Sequence, residues 1–164
     1  MLTEYFHIQL SPATELLLPL DNTVGVITLM LEQICPIPGV APTLLGVANQ
    51  RGKLLWVLDL NGLLGLGSSV KQAHAKTNLT LVVLNSNVHA AREQDLRQIG
   101  CVVSLLKGIV SLAPEQLQPV PVKFPPALKL YGVGVANVEQ PVTVLNVNAI
   151  FTALSTCDRT SVHP

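Results

Sequence analysis

The sequence predicts a mainly β fold of two small barrels packed on one another. Three observations predict it. The first is a repeat. Glu32-Gln33-Ile34-Cys35-Pro36-Ile37-Pro38 returns as Glu115-Gln116-Leu117-Gln118-Pro119-Val120-Pro121. Gly46-Val47-Ala48-Asn49 returns as Gly134-Val135-Ala136-Asn137, and Val57-Leu58-Asp59-Leu60-Asn61 as Val144-Leu145-Asn146-Val147-Asn148. The order is kept and only the spacers change length, as in a duplicated supersecondary unit. The second is a run of short apolar, β-branched segments punctuated by turn residues. The third is a composition of 49% hydrophobic and 12% charged residues. That is about half the usual charged share, so much apolar surface must be buried in a core or against partners.

The elements follow in order. Tyr5 to Leu10 alternates loosely and reads as an edge strand. Leu16 to Leu20 and Val24 to Leu29 flank an Asp21-Asn22 turn. Pro42 is placed to start a short helix over Thr43 to Leu45, as Pro114 is for Glu115 to Leu117. Lys53 to Leu58 reads as a strand, followed by one helical turn over Asn61 to Leu64 that Gly65 stops. Gly65 to Thr77 is small and polar and reads as a loop. Leu79 to Leu84 is a strand. His89 to Gln98 has the one strong helix composition, with Glu93 and Arg97 spaced for an i,i+4 pair and Gly100 as a stop. It has little to bury and is expected to project from the core. Cys101 to Leu112 reads as a strand. Pro119 to Pro126 holds four prolines and suits an extended connector, not a central strand. Leu130 to Ala136 and Val142 to Val147 are strands, and Asn148 is placed to cap a final helix through Leu154. One domain over 4–154 and a C-terminal tail over 155–164 result.

Several functions are disfavoured. The formal net charge is zero and aromatic residues are 4%, so neither the electrostatic footprint nor the stacking surface of a nucleic-acid binder is present. No run approaches the roughly 20 apolar residues of a membrane span, so no direct membrane insertion is expected. Glu4 and His7 interrupt the N-terminus, no signal peptide is legible, and a cytoplasmic location is expected. Cys35, Cys101 and Cys157 form no Cys-x-x-Cys and suit a reducing compartment. His7, His74, His89 and His163 show no ligand spacing, so no metal and no cofactor are expected. The Ser68-Ser69 pair has no base and acid nearby, and Gly65-x-Gly67 lacks a phosphate-loop context. No catalytic set emerges, and the chain is not expected to be an enzyme.

The first copy reads in full Pro38-Gly39-Val40-Ala41-Pro42, Leu45-Gly46-Val47, Asn49-Gln50-Arg51-Gly52, then Trp56-Val57-Leu58-Asp59-Leu60. This combination resembles the CheW family of chemotaxis adaptors, strongly over 34–64 and weakly over the rest of 4–154. The resemblance implies two five-stranded SH3-like barrels with a few short helices. It implies a non-catalytic adaptor that couples a methyl-accepting chemoreceptor to the regulatory domain of a CheA-type histidine kinase. The Trp56 to Leu60 stretch is similar to CheW-like proteins of pilus-driven motility and phototaxis clusters. Three departures stand out. An acidic residue that faces the Arg in many members is replaced within Val24-Gly25-Val26. The Gly100-Cys101-Val102-Val103-Ser104 strand also lacks its acid. A longer charged segment, His89 to Gln98, replaces a hairpin.

Arg51 therefore becomes the first residue of interest. It is the first basic residue of the chain, and the second copy lacks it, reading Val138-Glu139-Gln140-Pro141. A solvated turn charge would be worth little, whereas a guanidinium beside apolar surface can grip a carboxylate with two parallel bonds. Arg51, Asn49, Gly52, Val24 and Trp56 are the expected partner-binding residues. Trp56 alternates with Leu54 and Leu58 and is most simply core, though Trp is enriched at binding hot spots. Asp59 has Asn146 in its place in the second copy, so a turn acceptor for backbone N–H groups is favoured over an acid catalyst. Two alternatives remain open: a stand-alone regulatory module for another signalling enzyme, and a β-barrel enzyme using Asp59.

Overall fold

The structure, a computed structural model, describes residues 1–67, 70, 73–86 and 98–160, of which 155–160 are described by backbone alone. His89 to Arg97, Ser68 and Ser69 lie outside the described residues, so the expected projecting segment and serine pair are not placed. The strands are β1 (Thr3–Ser11), β2 (Thr14–Pro19), β3 (Thr23–Met30), β4 (Leu44–Gln50), β5 (Lys53–Leu58), β6 (Asn78–Asn85), β7 (Gln98–Val103), β8 (Leu105–Leu112), β9 (Gly132–Val138) and β10 (Gln140–Leu145). Three helices, α1 (Leu60–Leu63), α2 (Pro126–Tyr131) and α3 (Val147–Thr160), accompany them.

Two five-stranded sheets form, ordered β3-β6-β7-β5-β4 and β8-β1-β2-β10-β9. The first takes its strands from one continuous stretch and is called here the continuous barrel. The second joins the N-terminal β1 and β2 to the C-terminal β8, β9 and β10 and is called the split barrel. The two are built alike. In each, one parallel pair, β5 with β7 or β10 with β2, sits among antiparallel pairs. In each, the first strand runs into a 3-10 turn, Leu31–Gln33 or Pro114–Gln116. A glutamine closes each turn: Met30 N–H donates to Gln33 Oε1 at 2.7 Å, and Ala113 N–H to Gln116 Oε1 at 2.6 Å. The chain then bridges to the next strand, Cys35 to Val47 and Gln118 to Val135. The repeated segments thus occupy equivalent places, and the duplication expected from sequence holds.

The core has three parts. Ile27, Leu29, Ala48, Val57, Leu79 and Leu81 fill the continuous barrel. Tyr5, Leu17, Leu112, Ala136, Val142 and Val144 fill the split one. The largest cluster lies between them, where Ile8, Leu10, Leu16 and Leu18 meet Leu58, Leu84, Ile99 and Cys101, with Ile150 and Leu154 of α3 packed on it. Alternation explains this arrangement: in a strand successive side chains point to opposite faces, and here both faces of the central strands are covered.

Several expectations are corrected. β1 is not an edge strand, because β8 pairs on one side and β2 on the other. The turn at Asp21-Asn22 is a 3-10 turn, Leu20–Asn22, that carries the chain from β2 in one sheet to β3 in the other. Cys101 to Leu112 is two strands in different sheets. Ser104 marks the crossing, its Oγ donating to Leu10 O at 2.7 Å and its N–H to Gln9 O at 2.9 Å. Thr43 to Leu45 is not helical, since Leu44 already belongs to β4. Gly100 is no helix stop: it lies within β7, where the side chains of Leu55 and Leu81 occupy the space a Cβ would need. The last helix is capped by Asn146, which accepts from Ala149 N–H at 3.1 Å, and not by Asn148; its backbone runs on to Thr160.

Candidate functional site

Arg51 stands at the tip of the β4–β5 hairpin. Gln50 pairs with Lys53, leaving Arg51 and Gly52 as a two-residue loop. Both have positive φ, 53° and 83°, the type I′ geometry that matches strand twist. Asn49 holds the loop from below, its Oδ1 accepting from Gly52 N–H at 2.9 Å. Glycine adopts this conformation without penalty, whereas an L-residue pays roughly 1–2 kcal/mol. Arg51 therefore sits strained and exposed at the tip. The tip of the split barrel is one residue shorter, since Val138 pairs with Gln140 and leaves Glu139 alone between them. Glu139, at the β9–β10 tip, is the other non-glycine residue with positive φ among the described residues, at 66°.

Strand directions bring the expected residues to one end of the continuous barrel. β3 and β7 begin there, β6 ends there, and the β4–β5 tip projects there. This end, the mouth, collects Arg51, Asn49, Gly52, Lys53 and Val24. Val24 is 54% exposed and Leu54 74% exposed; Leu54 follows Lys53 in β5, whereas β6 and β7 stand between Val24 on β3 and β5 in the sheet. Trp56 is not with them: it is half-buried and packs on the core between the barrels.

The equivalent mouth of the split barrel is filled by polar groups from four strands. The Glu15 side chain is only 5% exposed. It accepts from Lys107 Nζ on one oxygen and from Gln140 Nε2 on the other, and His7 Nε2 lies 3.7 Å from Oε1. A buried carboxylate needs such charge-assisted partners, because desolvation would otherwise cost several kcal/mol. These residues were not brought together from sequence, being spread over β1, β2, β8 and β10. The available signal was Glu15 standing alone beside Leu16-Leu17-Leu18.

Asp59 is buried and its Oδ1 accepts from Gly62 N–H at 3.3 Å. It caps α1 as Asn146 caps α3, which is the turn-acceptor role expected of it. No group of three or more His, Cys, Asp or Glu residues among the described residues could hold a metal ion. No described helix is long and apolar enough to cross a membrane. Cys101 is fully buried, and burial pushes its thiol up to about 12, whereas Cys35 is exposed.

A sequence profile of the CheW-like domain matches residues 4–155. The chain belongs to the CheW-like domain family. Among solved structures, the crystal structure of the scaffolding protein TtCheW from Thermoanaerobacter tengcongensis superposes with a TM-score of 0.70 at 17% identity, covering 90% of this chain and 86% of that one. A search of curated protein sequences found no match. Membership in the CheW-like family accounts for the paired sheets. Of the departures noted from sequence, one lies at the mouth, whereas Ser104 follows β7 at its opposite end and His89 to Arg97 lie outside the described residues. Val24-Gly25-Val26 opens β3 at the mouth, and Arg51 and Lys53 make no ion pair among the described residues.

Proposed function

We propose that this CheW-like domain is a non-catalytic cytoplasmic adaptor. It couples a methyl-accepting chemoreceptor to the regulatory domain of a CheA-type histidine kinase, in a signalling array for pilus motility or phototaxis. The observation that carries the reading is the CheW-like match over residues 4–155 on a fold of two equivalent barrels. Two barrels offer two surfaces, as an adaptor between two partners requires. Arg51, held at a turn by Asn49 and Gly52, is the proposed partner contact, with exposed Val24 at the same end of the barrel. Trp56 is half-buried against the core between the barrels and lies outside that tip.

The test is reconstitution. Receptor-bearing membranes, the kinase and this chain from the same cell are mixed, then sedimented. The kinase should travel with the membranes, and its autophosphorylation should respond to the receptor, only when the chain is present. If the chain binds neither partner, the adaptor reading is wrong.

A further inference from the structure

The split barrel closes its mouth with a charged cluster that the continuous barrel does without. The registers make the two comparable. His7 pairs with Leu17 and Gly108, as Val83 pairs with Gly100 and Gly25. Gln9 pairs with Glu15 as Asn85 pairs with Gln98. Lys107 is the extra residue of a β-bulge, left between the pairs His7–Gly108 and Ile8–Leu106, and Val24 is skipped in the same way in β3. Val83, Gln98 and Val24 therefore stand where the split barrel has His7, Glu15 and Lys107. Those positions fold without a titratable group, so the barrel does not require the cluster. Bulges re-aim side chains, and this one lets Lys107 of β8 reach past β1 to Glu15 on β2. Around His7, β2 supplies Glu15 and Leu17, β8 supplies Lys107 and Gly108, and β10 supplies Gln140 through its bond to Glu15. Tyr5 lies two residues back on the same strand, and Glu139, next to Gln140, is exposed at its tip. One group in the cluster is unsatisfied. His7 Nε2 is buried and makes no hydrogen bond, although Glu15 Oε1 lies 3.7 Å away. That oxygen is held by Lys107.

We infer that this cluster is an acid-operated latch: when His7 gains a proton it takes over the Glu15 carboxylate, and Lys107 is released to water. Histidine is the side chain whose charge ordinarily changes between pH 5 and 8. While His7 is neutral, the charges of Glu15 and Lys107 cancel. A proton on His7 sets two cations on one carboxylate whose side chain is only 5% exposed. Surplus charge in such a site is costly, so one cation leaves, and exposure decides which. The Lys107 side chain is 36% exposed and that of His7 10%. A lysine ammonium reaches water on its flexible stem, whereas the imidazole is held between β2 and β8. The protonated Nε2 then gains the acceptor it lacks. The bond from Lys107 to Glu15 ties β8 across β1 to β2, so its release frees a surface cation and loosens the bulge. Acid thus alters one mouth and spares the other, because Val83, Gln98 and Val24 carry no group that titrates. The latch works whether or not the chain is an adaptor.

The experiment follows the isotope-labelled whole chain by NMR from pH 8 to pH 5.5, with circular dichroism alongside. His7→Gln, which cannot take up a proton, identifies the His7 ring signals among the four histidines. In the wild type the His7 ring, the Lys107 methylene beside Nζ and the amides of Leu106 to Gly108 should shift together with one midpoint. In His7→Gln the Lys107 and β8 shifts should vanish. Lys107→Met removes the competing cation and keeps the stem, so the His7 midpoint should rise by roughly half a pH unit or more. The β circular dichroism should stay constant throughout. A His7 ring that titrates while Lys107 stays unmoved overturns the latch. So does a His7 that takes up no proton by pH 5.5, or a Lys107 shift that persists in His7→Gln. An unchanged His7 midpoint in Lys107→Met overturns it too, since the two cations then do not compete. Loss of the β signal over the same range would mean that acid unfolds the chain and opens no latch.

Discussion

At the scale of single residues, strain and burial separate what Arg51 does from what Cys101 does. Arg51 has φ of 53° where glycine would sit without penalty, so holding an arginine there costs stability that a functional role would offset. Arg51→Gly should raise stability by about 1 kcal/mol, read as a higher urea midpoint, while weakening partner binding. Arg51→Ala should leave the midpoint near wild type, and Arg51→Lys should restore binding only in part, because an ammonium lacks the guanidinium fork. A destabilised Arg51→Gly variant with normal binding would make Arg51 a structural residue. Cys101 shows the opposite balance. Burial lifts its thiol from 9.0 to about 12. Below about pH 9 both folded and unfolded states keep the proton, so Cys101 adds no pH dependence there. Above it the unfolded chain loses the proton and the folded one keeps it, so stability falls by about 1.4 kcal/mol per pH unit. Between pH 8 and 10 the wild type should therefore lose roughly 1 kcal/mol more than Cys101→Ala in denaturant unfolding. Equal losses would mean the thiol ionises without unfolding.

At the scale of elements, closure of each barrel depends on a glycine. A Cβ on Gly46 would lie 2.1 Å from Cys35 O, at φ of 143°, so the Cys35–Val47 bridge needs glycine there. The equivalent Gly134 is less confined, with Gln118 O at 2.9 Å from its Cβ position. Gly46→Ala should cost roughly 3 kcal/mol or more and Gly134→Ala clearly less, both read from denaturant midpoints. If the order is reversed, the bridge does not hold the continuous barrel closed. These elements also show what a sequence carries. Capping by Asp59 was legible because a carboxylate followed three residues later by a glycine amide is a local pattern, and the Pro114 turn was legible for the same reason. The turn at Arg51 was legible because Gly52 beside it is the residue a left-handed conformation favours. The mouth around it was not, since it assembles Val24 from β3 with the tip of β4–β5. The Glu15 cluster was hidden by the same distance in sequence. Gly46-Val47-Ala48-Asn49 was recognised as a repeat but not as a strand, because Pro42 suggested a helix start and the pairing that overrides it comes from β5 and from Cys35. β1 looked like an edge because its second partner, β8, lies far along the chain.

At the scale of the whole molecule, the duplication is permuted, and this explains why the two halves hold together. The continuous barrel runs β3, β4, β5, α1, β6, β7. The split barrel runs β8, β9, β10, α3 and is completed by β1 and β2 from the other end of the chain. Glu15 of β2 bonds Lys107 of β8 and Gln140 of β10, so the polar network joins the two ends of the sequence. The core between the barrels draws on both sheets and on α2 and α3. Neither barrel can therefore unfold without exposing the other, and a single cooperative transition is expected. A circular permutant separates connectivity from packing. Opening the chain at the 3-10 turn Leu20–Asn22 and joining the old ends with a flexible Gly/Ser linker makes the split barrel contiguous and leaves every sheet contact in place. The loss of the turn and the added loop should cost only about 1–2 kcal/mol, because loop entropy grows slowly with length. Folding should be faster, because the pairing of β1 with β8 no longer spans most of the chain and contact order falls. Stopped-flow refolding and equilibrium unfolding read both quantities. A permutant that keeps its β circular dichroism, refolds faster and stays in one transition supports the permuted duplication. One that unfolds in two steps would show that chain connectivity through Leu20–Asn22, and not the shared core, couples the barrels.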